Sequence, residues 1–121
     1  MTRTGDDPAL AALDDLCVAL RECVTDAERL LVRADTIRSQ RAEGMAYSEI
    51  VDNDAQPLIV EGLTAMLSRL SDRGSRWRRA EAKALHDEGL SMERIAELFG
   101  VTRQRVSSLL RASTSRRARV L

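Results

Sequence analysis

Aromatic side chains are nearly missing from this chain: they make up 2% of 121 residues, as Trp77, Tyr47 and Phe99. A core must therefore be assembled from Leu, Val, Ile and Ala. Strands favour aromatic and β-branched residues, so the composition points to an all-α fold. Two prolines and six glycines are too few for a collagen-like or linker-type chain. No apolar run approaches the roughly 20 residues of a membrane span. The first ten residues, MTRTGDDPAL, are acidic and lack the apolar stretch of a secretory signal, so the expected compartment is the cytosol. Cysteine is limited to Cys17 and Cys23, six residues apart in a helical pattern. Six steps of about 100° place them on different faces, which excludes a bridge within one helix. Both are expected as small, buried hydrophobes. With one histidine, His86, and no CxxC, no metal site is expected. There is no Gly-rich phosphate loop, no carboxylate pair in a cleft setting and no Ser/His/Asp set, so neither a catalytic site nor a cofactor is expected.

What the chain does have is charge, unevenly placed. The net formal charge is zero, with 19 cations and 19 anions. Residues 1–72 carry 7 Arg against 14 acids, and residues 73–121 carry 12 cations against 5 acids. From Arg103 onward there are six arginines and no acid. Such asymmetry is the footprint of a polyanion-binding module joined to an acidic one. Only Lys83 is a lysine. The arginine bias fits a GC-rich genome and also suits forked contacts to phosphate and guanine.

Asp6-Asp7-Pro8 reads as a helix start, with an acid at the N-cap and Pro in the first turn. Nothing breaks a helix from there to about Arg41. Leu13, Leu16, Leu20, Cys23, Ala27, Leu30, Ala34 and Ile37 step by 3, 4, 3, 4, 3, 4, 3, the 3.5-residue repeat of a coiled coil or helical hairpin. An ordinary long core helix fits the same pattern. Leu10, Val24 and Leu31 widen the stripe. Gly44 is the expected stop. A short helix over Tyr47–Val51 follows, with Ala46, Tyr47 and Ile50 expected inward. Asn53-Asp54 is a break, and Pro57 opens another helix carrying Leu58, Ile59, Leu63, Met66, Leu67 and Leu70 on one stripe. Gly74 suggests a break or bend, with Ser75 as cap of a new helix over about Arg76–Glu88. Its apolar residues are Trp77, Ala80, Ala84 and Leu85, and Gly89 stops it. Glu43–Val51 and Glu88–Ala96 share a pattern of helix, glycine stop and short amphipathic helix. Convergent use of the glycine stop explains it better than a degenerate repeat of the same unit.

The segment Met92–Arg111, MERIAELFGVTRQRVSSLLR, is the most informative. Two helices crossing over a short turn need a small residue at their closest approach, and Ala96 supplies it. The turn needs one residue at positive φ, and Gly100 accepts that without strain. Ile95, Phe99, Val101, Val106 and Leu109 are expected inward. Ser91 and Thr102 are the expected caps of the two helices. A helical corner within an all-α bundle would satisfy the same spacing. It would not explain a solvent face of Arg103, Gln104, Arg105, Ser107 and Ser108 without an acid.

This pattern resembles the helix-turn-helix of bacterial DNA-binding proteins, in particular region 4 of sigma-70 factors and the DNA-binding domains of Hin-like recombinases. The resemblance covers about Arg76–Arg111 and rests on IAELFGVTRQRVSSLL. It implies that the second helix enters the major groove by its N-terminal end. Thr102, Arg103, Gln104, Ser107 and Ser108 fall at the outward positions. Arg103 is matched to guanine O6 and N7, and Gln104 to adenine N6 and N7. Thr102 and Ser107 suit phosphate or base edges. Arg105, Arg111, Arg76, Arg78 and Arg79 are matched to backbone phosphates, which position without specifying. The chain departs from both families: the melting and core-binding regions of a sigma factor and the catalytic domain of a recombinase are missing.

The expected architecture is thus all-α in three parts. Residues 1–73 form a long N-terminal helix and helical bundle or coiled-coil arm for dimerisation or partner binding. Residues 74–112 form the helix-turn-helix, and residues 113–121, with Arg116, Arg117 and Arg119, form a basic, flexible tail. The expected function is double-stranded DNA binding by a homodimer, as a bacterial transcriptional regulator or nucleoid-associated protein. The alternative is an adaptor whose N-terminal helices bind RNA polymerase or a toxin-like partner. The operator, the sign of regulation and any effector are not legible.

Overall fold

The computed structural model describes residues 7–53 and 58–120, with side chains through residue 112. Five helices and no strands occur among them: α1 Pro8–Ala42, α2 Tyr47–Asn53, α3 Ile59–Asp87, α4 Met92–Phe99 and α5 Arg103–Val120. The fold is all-α, as the composition implies. Asp54 and Pro57, expected to separate α2 from α3, lie outside the described residues. None of the described helices is long and apolar enough to cross a membrane.

The helix ends follow local chemistry. Asp7 caps α1, its Oδ1 accepting from the backbone N–H of Ala9 at 3.0 Å and Leu10 at 3.1 Å, and Pro8 occupies the first turn, where a missing N–H is harmless. Gly44, Gly89 and Gly100 adopt φ of 90°, 103° and 66°. Each stops its helix in the same way. The glycine N–H bonds the carbonyl three residues back, and the next N–H bonds the carbonyl five back: Met45 to Gln40, Leu90 to Leu85, Val101 to Ala96. This double return satisfies carbonyls that would otherwise be orphaned. The two glycine-stop segments that look alike in sequence therefore share one hydrogen-bonding arrangement.

Two compact units can be distinguished, Met1–Leu16 with Asp72–Leu121, and Cys17–Ser71. In the second, α1 and α3 run antiparallel. Leu30 seats over Gly62, 3.0 Å from where a β-carbon would stand. Arg69 bridges Glu22 at 2.8 Å and Asp26 at 3.2 Å. Ala19, Ile50 and Met66 are its buried hydrophobic residues. A two-helix layer has little interior, so Leu20, Val24, Leu31, Val60, Leu63 and Leu67 stay exposed. Cys17 and Cys23 are free and partly buried.

Several expectations need correction. The break at Gly74 is absent, and α3 is continuous through it. Ser75 is therefore no cap, and Arg76–Arg79 lie in mid-helix rather than at a start. A single glycine costs a helix interior only about 1 kcal/mol relative to Ala, which a helix of 29 residues absorbs. Tyr47 is 63% exposed rather than inward. Its ring lies under the Arg41 guanidinium, 4.2 Å away, and Ile50 is the buried residue of α2. Ala46 is exposed too. The tail expected to be flexible continues α5 to Val120, because no glycine or proline stops the helix after Arg111. Its arginine side chains lie outside the described residues.

Nothing lies within 4 Å of a β-carbon built on Gly74. Gly74→Ala should then stabilise the protein by about 0.5–1 kcal/mol, the usual Gly-to-Ala difference inside a helix. The reading is a higher urea midpoint at unchanged slope. A lower midpoint would show that the position needs a bend after all.

Candidate nucleic-acid interface

The C-terminal unit closes around a small core. Ala82 of α3, Ile95 and Ala96 of α4, and Val106 and Leu109 of α5 are buried together, flanked by Leu85, Leu90, Met92, Phe99 and Leu110. Ala96 sits where a small residue was expected. Val101 does not turn inward; it is 39% exposed. Gly100 already closes the turn through backbone bonds, so the next side chain is free to point to water. Ala82 gave no sequence signal, because alanine suits a helix surface as well as a contact. In the fold it is the closest-packed residue of α3, where a larger side chain would hold the helices apart.

The turn between α4 and α5 spans residues 100–102. Ser91 caps α4, its Oγ accepting from the Arg94 N–H at 3.1 Å. Thr102 caps α5 by accepting from the Arg105 N–H at 3.0 Å. Both caps are the ones the sequence predicts. They fix the start of α5, and hence the directions of its first side chains.

Those side chains are Arg103, Gln104 and Arg105, all exposed. The first turn of α5 contains no acid. Cations there oppose the positive end of the helix dipole, a disfavoured placement worth a few tenths of a kcal/mol per residue. The same placement sets the Arg105 guanidinium beside the positive end of the helix dipole, which suits an anion, while Arg103 carries Glu93 as a counter-ion. One turn on, Ser107 and Ser108 are partly buried, and the Arg111 guanidinium donates to both hydroxyls at 3.3 Å. Met92, Arg103, Gln104 and Ser107 line a shallow groove of about 290 Å³.

The arginines of α3 are more engaged. Arg78 stacks on Phe99 at 4.1 Å and lies 3.9 Å from Glu81. Arg76 lies 3.6 Å from Asp72, which also pairs with Arg73. The stack of Arg78 on Phe99 ties α3 to the end of α4, a packing role that sequence reasoning did not foresee. Sequence reasoning also missed Glu93 as a partner of Arg103, 2.8 Å from its Nε. Ten residues separate the two, and no spacing rule within one helix links them.

The eight residues of the 3.5-residue seam are placed as follows. Leu13, Leu16, Cys23, Ala27, Leu30, Ala34 and Ile37 are partly buried, and Leu20 is exposed. At Leu30 the seam faces α3 of its own chain.

Residues 73–121 match the family model of a homeodomain-like domain. The match supports a helix-turn-helix DNA-binding domain in this part of the chain and takes in α4, the turn and α5. No curated protein and no solved structure matches the chain.

Proposed function

We propose that the protein is a homodimeric regulator or nucleoid-associated protein of bacterial type that binds double-stranded DNA. In this reading residues 102–111 lie in the major groove, as the resemblance to sigma-70 region 4 and Hin-like domains implies. The observation that carries it is the acid-free first turn of α5, exposing Arg103, Gln104 and Arg105 on a capped helix-turn-helix. Arg103 and Gln104 read bases; Arg105 and Arg111 hold phosphates.

One such module presents few base-reading side chains, and a second copy supplies a second half-site. The exposed apolar residues of Cys17–Ser71 support self-association. Leu20, Val24 and Leu31 on α1, and Val60, Leu63 and Leu67 on α3, are exposed and recur at steps of three, four or seven residues, which keeps each set on one helix face. Pairing two such helix pairs makes a four-helix bundle.

Light scattering and duplex binding test the two halves of the proposal separately. The expected particle has twice the 13.4 kDa chain mass, and Val24→Glu shifts it toward a single chain. A wild-type protein that is monomeric yet binds duplex DNA favours the adaptor reading, with the apolar face reserved for RNA polymerase or a toxin-like protein. A protein that binds no duplex at any salt concentration overturns the DNA-binding reading altogether.

A further inference from the structure

The carboxylate of Glu93 stands beside the proposed base-reading Arg103, on a DNA-facing surface where an acid would repel phosphate. We propose that Glu93 is a positioning residue that presents the Arg103 guanidinium to guanine. This rests on the DNA-binding reading above and assigns a second residue to its specificity.

The geometry is specific. Arg103 Nε donates to Glu93 Oε1 at 2.8 Å. A guanidinium has five N–H donors in a planar fork. With Nε committed to the carboxylate, the outer pair of Nη donors faces away from it, in the arrangement that matches guanine O6 and N7. The anchor is rigid at both ends. Glu93 lies in the first turn of α4, just after the Ser91 cap, and Arg103 begins α5, just after the Thr102 cap. Both side chains remain exposed, at 65% for Arg103 and 63% for Glu93. The pair therefore does not bury the guanidinium away from a ligand. The groove beside it, lined by Met92, Gln104 and Ser107, leaves the Arg103 head open to an approaching base edge.

The energetics favour positioning over simple neutralisation. An exposed ion pair adds little to the stability of the fold. An arginine that must be ordered on binding loses rotamer freedom, a loss of about 3–10-fold in affinity for one side chain. Holding the side chain beforehand recovers that factor only for the site that uses the fixed orientation. Glu93 should thus weaken binding to random duplex through its charge, yet strengthen discrimination at one base pair.

The experiment begins with selection from randomised duplexes by the wild-type protein. The guanine whose preference disappears in Arg103→Ala identifies the base pair read by Arg103. Dissociation constants are then measured on two duplexes differing only there, guanine against adenine, and on a random-sequence duplex. Glu93→Ala is expected to lower the guanine preference about 3–10-fold, while random-duplex binding stays equal or tightens. Glu93→Gln keeps an oxygen for Nε and should retain most of the preference. In an Arg103→Ala background, Glu93→Ala should leave the remaining discrimination unchanged. Equal tightening on all duplexes would make Glu93 an electrostatic brake and overturn the proposal. An intact guanine preference in Glu93→Ala would also overturn it, as would an effect that persists without Arg103. Circular dichroism of each variant separates these results from unfolding, and Glu93→Ser, whose short side chain cannot reach the Arg103 Nε, replaces Glu93→Ala with the same expected loss if Glu93→Ala does not fold. Wild-type protein that binds no duplex overturns the parent reading and this one together; selective duplex binding with Glu93 immaterial overturns this one alone.

Discussion

Raising the salt concentration from 50 to 200 mM should weaken duplex binding by about 150-fold for each helix-turn-helix engaged, and by about 10⁴-fold for two. The figure follows from counterion release, in which log K falls with log salt at a slope of about −0.9 per phosphate neutralised. About four phosphate contacts per protomer, from Arg105 and Arg111 on α5 with Arg94 and Arg76 on the preceding helices, give a slope near −3.6. Three of these cations already have partners on the protein: Arg94 bonds Glu97 at 2.9 Å, Arg76 faces Asp72, and Arg111 donates to the Ser107 and Ser108 hydroxyls. Those pairs must loosen before phosphate is engaged, so the measured slope should fall at or below this figure. Filter binding or fluorescence anisotropy over a salt series reads it directly. Arg105→Ala should lower the slope by about one unit per protomer while leaving sequence preference alone. A response flat across this range would contradict phosphate binding by the whole surface.

The second large effect concerns Ile95. Its side chain is 0% exposed, and with Val106 it is the largest fully buried group among the described residues. It contacts the meeting point of three helices, where Ala82, Ala96 and Leu109 complete the core. Removing three carbons from such a site costs about 2–5 kcal/mol, through lost transfer energy and the cavity left behind. A unit of some 60 residues has a total stability of only about 3–9 kcal/mol. Ile95→Ala should therefore lower the melting temperature by at least about 10 °C and abolish duplex binding at physiological temperature. Ile95→Val, which removes one carbon, should cost about 0.5–1.5 kcal/mol and keep binding. A melting temperature for Ile95→Ala within two or three degrees of wild type, at about 0.5 kcal/mol, would mean that the three helices do not share this core.

The residues legible in advance were those whose role depends on neighbours in the chain. Asp7 and Pro8 announce α1, and Ser91 and Thr102 announce α4 and α5, because capping joins a side chain to an N–H two or three residues on. Ile95, Phe99, Val106 and Leu109 were legible because apolar spacing reports which face of a helix leaves water. The sequence misled where local and tertiary forces differ. Gly74 favours a break locally, yet the helix persists because one glycine costs only about 1 kcal/mol within a helix of 29 residues. Tyr47 has an apolar ring, yet the cation of Arg41 covers it at the surface. In the 3.5-residue seam of α1, Leu30 meets Gly62 in its own chain, whereas Val24 and Leu31, beside the seam, remain exposed.

The amino-acid sequence by itself determined the helical class, the three glycine stops and the position of the two-helix corner. All of these rest on hydrogen bonds and periodicities spanning five residues or fewer. It also determined the charge split, which is a matter of composition alone. Only the tertiary structure decided that Ala82 is the contact point of α3, that Arg78 lies on Phe99, and that Glu93 reaches Arg103. Those pairings join residues ten or more positions apart on different helices, and their energies exist only once the helices have packed.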